Sequence, residues 1–454
     1  MNPIPQAEKL QARDPAQNEC DALVIGGGPA GSTAATLLAE KGWRVTLLEK
    51  AHHPRFHIGE SLLPMNLPIL KRLGVLEQVE KIGMPKYGAH FVSEQYTDSD
   101  QTFYFSEALD KQHPHSYEVR RSEFDHLLLQ NSAGKGVDVR EGVRVTSVEF
   151  GDGAQVRALD EEGNPQEFRA RQVVDATGRD TFLAGRLGFK KKNPKHGSAA
   201  IFGHFSNVER LSGRDAGNIS IFWFAHGWFW MIPLKDGMTS VGAVCAPTYL
   251  KTRGATEPAD FLWRTIELCP GVKSRMRDAE LVNGEARATG NYSYRATRLH
   301  GDGWLLVGDA FAFVDPVFSS GVFLAMNSAA FGSDVIDARL RGLASAPRLA
   351  KLYERRITRG LRTISWFIYR FTSPPMHRLF MGPQNTFRMQ EAVISVLAGD
   401  LFRNTPLTVP LTLFKGLYYT VFVADLARSW RGFLRRRQNA RSMFSGGTTP
   451  QDQA

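Results

Sequence analysis

The sequence predicts an α/β chain: a doubly wound parallel sheet assembled from discontinuous segments, a β-rich second layer, and a helical C-terminal extension. Three observations predict it. A glycine-rich turn joins a short apolar strand to an Ala/Leu-rich helix near the start. Residues 219–234 are aromatic-rich and read as sheet, and beyond residue 345 apolar residues recur at helix spacing.

Residues 22–25, 32–41 and 45–48 form strand, helix and strand, which is a βαβ unit. Further strands are expected over 143–149, 172–174 and 304–307. Ile357, Leu361, Ile364, Phe367 and Phe371 make one helical face. The domains follow: a flexible tail over 1–19, then a nucleotide-binding part over 20–185, with an insertion into the second layer near 86–118. A β-rich substrate layer spans 186–285, a return segment 286–345, a helical region 346–440 and a second tail 441–454.

At 43% apolar and 22% charged residues, the composition is that of a folded globular chain rather than a disordered one. Cys20, Cys245 and Cys269 lie far apart without a CxxC pair. That excludes a disulfide framework or zinc ribbon, leaves no metal-ligand spacing, and suits a reducing cytoplasm. The first twenty residues contain no signal-peptide core, and no window of 18 apolar residues offers a membrane span. The net charge of +10 is concentrated in 190–192, 355–356 and 428–441, without a nucleic-acid-binding signature, so a nucleic-acid partner is excluded. The segment 428–437 mixes aromatic and basic residues. It reads as a packing helix with a solvated basic end, the alternative being weak contact with the inner face of a membrane.

Gly26, Gly28 and Gly31, with Ala30 among them, spell G-x-G-x-x-G between strand and helix. Gly26 permits the tight turn, Gly28 lets backbone approach a pyrophosphate, and Gly31 allows close helix–strand packing. The helix N-terminus offers N–H groups and positive potential to phosphates. Glu49 lies 18 positions past Gly31, at the end of the second strand, where a carboxylate binds ribose hydroxyls and repels a 2′-phosphate. The first part is therefore Rossmann-like.

Downstream, Gly308-Asp309-Ala310 closes a strand before a helix. With Arg121 and the run from Asp175 to Arg179, it resembles the FAD superfamily of p-hydroxybenzoate hydroxylase. That resemblance implies FAD, with Asp309 on the ribityl chain and Arg121 at the flavin. Trp228, Trp230, Ile232 and Pro233 match a WxWxIP motif, and Phe313, Pro316, Ser319 and Gly321 match FxxPxxSxG. Arg55, Gly59, Glu60 and Ser61 match an RxxxGES loop. Together these resemble the flavin-dependent halogenases over roughly residues 20–345.

The resemblance implies an oxidoreductase of secondary-metabolite biosynthesis. It takes reduced FAD from a separate flavin reductase and uses oxygen to turn chloride or bromide into hypohalous acid. Lys86 falls where the family places its essential lysine; Lys71 competes but reads as surface. Backbone N–H groups of Ser320 and Gly321 are candidates for the halide site, and Trp228 and Trp230 for a wall between flavin and substrate. Tryptophan halogenases carry a glutamate before the serine of FxxPxxSxG, where this chain has Phe318. The resemblance is therefore closer to halogenases of phenols, pyrroles and polyketide-like groups, some carrier-bound. The C-terminal aromatics Trp366, Phe367, Tyr369, Phe371, Phe380 and Phe387 are expected in the core. An FAD monooxygenase and a geranylgeranyl-reductase-like isoprenoid reductase remain the alternatives, beside a catalytically silent FAD-binding protein.

Overall fold

The structure is a computed structural model that describes residues 18–93, 100–193, 197–290 and 293–426, with Trp430 and Leu434. The tails expected over 1–19 and 441–454 lie outside the described residues, except that Asn18 and Glu19 are described. Most of the basic segment 428–437 lies outside them too.

The described residues open with β1 (Glu19–Ile25), α1 (Pro29–Ala39) and β2 (Val45–Leu48), then pass through two short strands, β3 (Met84–Lys86) and β4 (Ser116–Glu118). It continues as β5 (Pro165–Asp175), then β6 (Ile219–Phe224), β7 (Gly227–Pro233) and β8 (Thr239–Cys245). β9 (Trp304–Leu306) leads into α2 (Ser320–Leu340), α3 (Ala346–Ile368) and, later, α4 (Thr408–Ala424).

The first sheet is ordered His300–Gly301, β9, β5, β1, β2, Asp138–Arg140. β1 is parallel to both neighbours, with Val24 opposite Val174 and Leu47. Ala22, Leu23 and Val24 are fully buried in a row, because helices cover both faces of a central parallel strand. β5 is much longer than the expected 172–174. Its first half pairs antiparallel with Gly153–Leu159 and points charged residues at water, which hides it from an apolar-run reading.

The second sheet is ordered Glu280–Thr289, Ala199–Ser206, β8, β7, β6, Gly88–Ser93, Asp100–Tyr104. Its last two strands come from the 86–118 insertion. Residues 219–234 form the β6–β7 hairpin, with Trp223 opposite Trp228 and Ile221 opposite Trp230.

On α3, Tyr353, Ile357, Leu361, Ile364 and Phe367 turn inward, and Tyr353 Oη donates to Leu306 O at 2.5 Å, tying the helix to β9. Phe371 lies past the helix end yet is buried. Phe387 is the exception among the C-terminal aromatics. It is 72% exposed, because a short turn with φ +53 swings its ring to solvent. No described helix is long and apolar enough to cross a membrane.

Candidate active site

The two sheets and α3 enclose a cavity of about 670 Å³. One end is the glycine turn after β1. Gly26 has φ +104, and a Cβ there would lie 2.5 Å from Ala176 O. A Cβ on Gly31 would lie 1.8 Å from Gly26 O, so α1 crosses its own turn backbone to backbone. Gly28 is open: its Cβ direction meets only Arg55 Nη2, at 3.7 Å, and its backbone fronts the cavity beside Gly26 and Ala30. The first-turn N–H groups of α1 have no carbonyl partner within the helix and bring positive potential to this end. Glu49, in the wall, is fixed by the N–H groups of Gly27 (2.6 Å) and Ala51 (3.0 Å).

The middle of the wall holds Arg55, Glu60, Ser61, Arg121 and Asp309. Arg121 grips Asp125 with a two-pronged contact of 2.7 and 2.9 Å and donates to Ile58 O at 2.8 Å, which leaves its guanidinium rigid. Arg55 reaches the same carboxylate at 3.4 Å. His204 Nε2 lies 2.8 Å from Glu60 Oε1. Burial pushes the Asp309 carboxyl up to about 6, against the pull of Arg179 and Arg121. Burial, assisted by Arg121, pushes His57 down to about 4, so its imidazole is neutral at pH 7. Gly308 stands behind the wall; its N–H donates to Ser328 Oγ at 2.8 Å.

At the far end, Trp228 and Trp230 alternate on β7 and both face the cavity, ring centroids 5.9 Å apart. Trp230 Nε1 donates to Ser240 Oγ at 3.2 Å, and its ring needs glycine across the strand, since a Cβ on Gly242 would lie 2.3 Å from it. Pro316 opens the turn that Ser319, at φ +53, closes into α2. Ser320 and Gly321 start α2 at the wall, and a Cβ on Gly321 would meet nothing within 4 Å. Leu361, Ile364 and Ile368 of α3 complete this end.

Lys86 is not in the wall. It is 1% exposed, and its Nζ donates to Ser61 Oγ (2.6 Å) and Leu62 O (2.8 Å), with Glu118 Oε1 at 3.5 Å. Strand pairing brings them together: Lys86 opposes Ser116 in the β3–β4 ladder, and Ser61 bridges to Glu118. Burial lowers the Lys86 ammonium from its ordinary range, opposed by the Glu118 charge. Burial pushes Glu118 up to about 7, opposed by Lys86. Lys71 is exposed on the helix Leu67–Leu73.

The sequence reading missed Glu118, His57, His204, Asp125 and the α3 wall. His57 lies inside the Arg55–Ser61 loop and Asp125 one helical turn after Arg121, so both carried a local signal. Glu118, His204 and the α3 residues reach the site only through sheet pairing and helix packing.

The cavity suits FAD. Its glycine end exposes backbone donors with no side chain in the way, and its indole end offers flat apolar surface for a ring system. The comparisons agree. A family model described as FAD binding domain matches residues 19–366. The 1H-pyrrole-2-carbonyl-(peptidyl-carrier protein) chlorinase of Pseudomonas fluorescens is 31% identical over 416 residues, covering 86% of this chain and 92% of that protein. The tryptophan 2-halogenase of Chondromyces crocatus is 33% identical over 338 residues, covering 73% of this chain and 64% of that protein. The structure of the myxobacterial chondrochloren halogenase, a variant of FAD-dependent halogenases, superposes with a TM-score of 0.74 at 33% identity. It covers 95% of this chain and 98% of that one. Relatives of similar identity are thus named for pyrrole and for tryptophan, so overall likeness leaves the substrate to the site itself. The relatives named here are halogenases, whereas the shared flavin motifs alone also allow monooxygenases and isoprenoid reductases. The chain belongs to the flavin-dependent halogenases, FAD-binding oxidoreductases of secondary metabolism.

Proposed function

We propose that this halogenase acts on an electron-rich aromatic or polyketide-like substrate, free or carrier-bound, and that Lys86 delivers the electrophile. The observation that carries the reading is the direct hydrogen bond from buried Lys86 to Ser61, a residue of the cavity wall. FAD, bound and reduced by a separate reductase, supplies with oxygen the two-electron oxidation of chloride or bromide to hypohalous acid. The start of α2 at Ser320 and Gly321 holds the halide, since first-turn N–H groups are free there and no side chain fills the space. Trp228 and Trp230 keep a bulky substrate from the flavin. Hypohalous acid leaves by way of Ser61 and Lys86, whose ammonium fixes its position.

Phe318, packed edge-on against Phe367 and Phe371, offers no carboxylate beside Ser319, which supports a substrate other than free tryptophan. The carrier-protein chlorinase among the relatives supports a tethered one. The test is mass spectrometry of a phenol and pyrrole panel, free and carrier-bound. Each is incubated with the chain, FAD, a flavin reductase and NADH, with and without bromide. Brominated product is expected only with bromide; hydroxylated product independent of halide overturns the reading.

We place the enzyme in the cytoplasm, in weak contact with an anionic membrane surface. Val409, Leu413, Leu417 and Val423 form an exposed apolar face on α4, opposite buried Leu411, Phe414 and Tyr418. In sequence, Arg428, Arg431 and Arg435 follow it. Co-sedimentation with phosphatidylglycerol vesicles is expected, weakened by Leu413→Ser with Leu417→Ser; no binding removes this part of the proposal.

A further inference from the structure

We propose that Glu118 is the positioning residue for Lys86: the buried counter-ion that keeps its ammonium charged and aimed at Ser61 and the cavity. The inference rests on the reading that Lys86 delivers the electrophile, but its own geometry carries it. A fully buried ammonium loses its proton unless a negative charge stands beside it. The two hydrogen-bond acceptors of Lys86 Nζ, Ser61 Oγ and Leu62 O, are neutral. The Phe105 ring lies 5.6 Å away on another side. Glu118, 3.5 Å away, is the carboxylate ion-paired to Lys86 among the described residues.

The dependence is mutual. No described donor reaches either Glu118 oxygen in hydrogen-bond geometry, so Lys86 and the neighbouring Ser61 hydroxyl are its polar surroundings. Other titratable groups nearby are engaged elsewhere. Glu60 is paired with His204, on the second sheet. Tyr117, on the opposite face of β4, bonds Glu80 and His115. The pair therefore settles the charge of Lys86 between its two members. The strand pairing that joins 60–62 and 84–86 to 116–118 holds it in place.

The test follows Lys86 directly. FAD-loaded full-length chain is labelled with ¹³C,¹⁵N-lysine, and the Lys86 side-chain resonance is assigned by its disappearance in Lys86→Met. It is then titrated in wild type, Glu118→Gln and Glu118→Asp. In Glu118→Gln burial acts unopposed, so the Lys86 midpoint falls by about 1–3 pH units; Glu118→Asp restores part of the fall. The alkaline limb of bromination moves to lower pH in parallel, while FAD affinity holds. An unchanged midpoint in Glu118→Gln overturns the proposal. If that variant does not fold, the titration of Glu118→Asp decides, and a midpoint equal to wild type overturns it. Product formation by Lys86→Met is a separate measurement. If product persists there, the delivery reading falls, and the Lys86 titration still decides the role of Glu118.

Discussion

Lys86→Met is expected to cut halogenated product by on the order of 10²–10⁴-fold while FAD stays bound. Among the described residues, the hydrogen bond of Lys86 to the cavity wall goes to Ser61, away from the glycine turn, so its removal leaves the nucleotide cradle in place. The variant also strands a buried carboxylate, and breaking a buried pair costs about 3–5 kcal/mol. Burial already pushes Glu118 up to about 7 against the pull of Lys86, and without Lys86 it moves further up, so it escapes part of that cost by taking a proton. A carboxyl whose folded pKa is raised costs stability as pH rises from its ordinary value through its folded one. The melting temperature of Lys86→Met should accordingly fall most above pH 7. Adding Glu118→Gln should recover it without recovering product. Calorimetry and mass spectrometry on the two variants check both statements. Full product formation by Lys86→Met would remove the lysine from the chemistry.

The second large effect is at Gly31. Its added methyl in Gly31→Ala would lie 1.8 Å from Gly26 O and 3.2 Å from Ala176 Cβ. The first contact is with backbone, in a turn already committed to φ +104, so no side chain can swing away. Either α1 slides off the strand end or the turn opens. Both move the N–H groups that face the cavity at Gly28. FAD affinity is expected to drop at least about 100-fold, which is about 2.7 kcal/mol, with a further loss of stability from overpacking. Gly185→Ala is the control, because a Cβ there meets nothing within 4 Å and no positive φ is required. Equilibrium titration with FAD, followed by flavin fluorescence, measures the difference. Wild-type affinity in Gly31→Ala would show that the turn tolerates separation from the helix.

Much of the nucleotide half was legible because its requirements are local. A turn that must pass under a helix needs glycine at fixed offsets, and buried parallel strands need consecutive apolar residues. Both leave marks over a few positions. The ladder and helix of Glu19–Leu48 and the placement of Glu49 at the end of β2 follow from such marks. The wall residues Trp228 and Trp230 were legible as a motif, though nothing local shows that Gly242 makes room for the second indole.

The sequence by itself determined the α/β class, the FAD-binding turn and the halogenase family, because short-range sterics and backbone hydrogen bonding write these into contiguous residues. Only the tertiary structure decided which residues stand behind them. Glu118 meets Lys86 through a strand pairing that joins positions 32 residues apart in sequence. The side chains of Leu361, Ile364 and Ile368 reach the cavity because α3 packs back across α2. Phe387, apolar and flanked by helices, ended in water because its turn faces outward. Charge pairing and burial are set by who is nearby in space, and apolar spacing along the chain does not encode that.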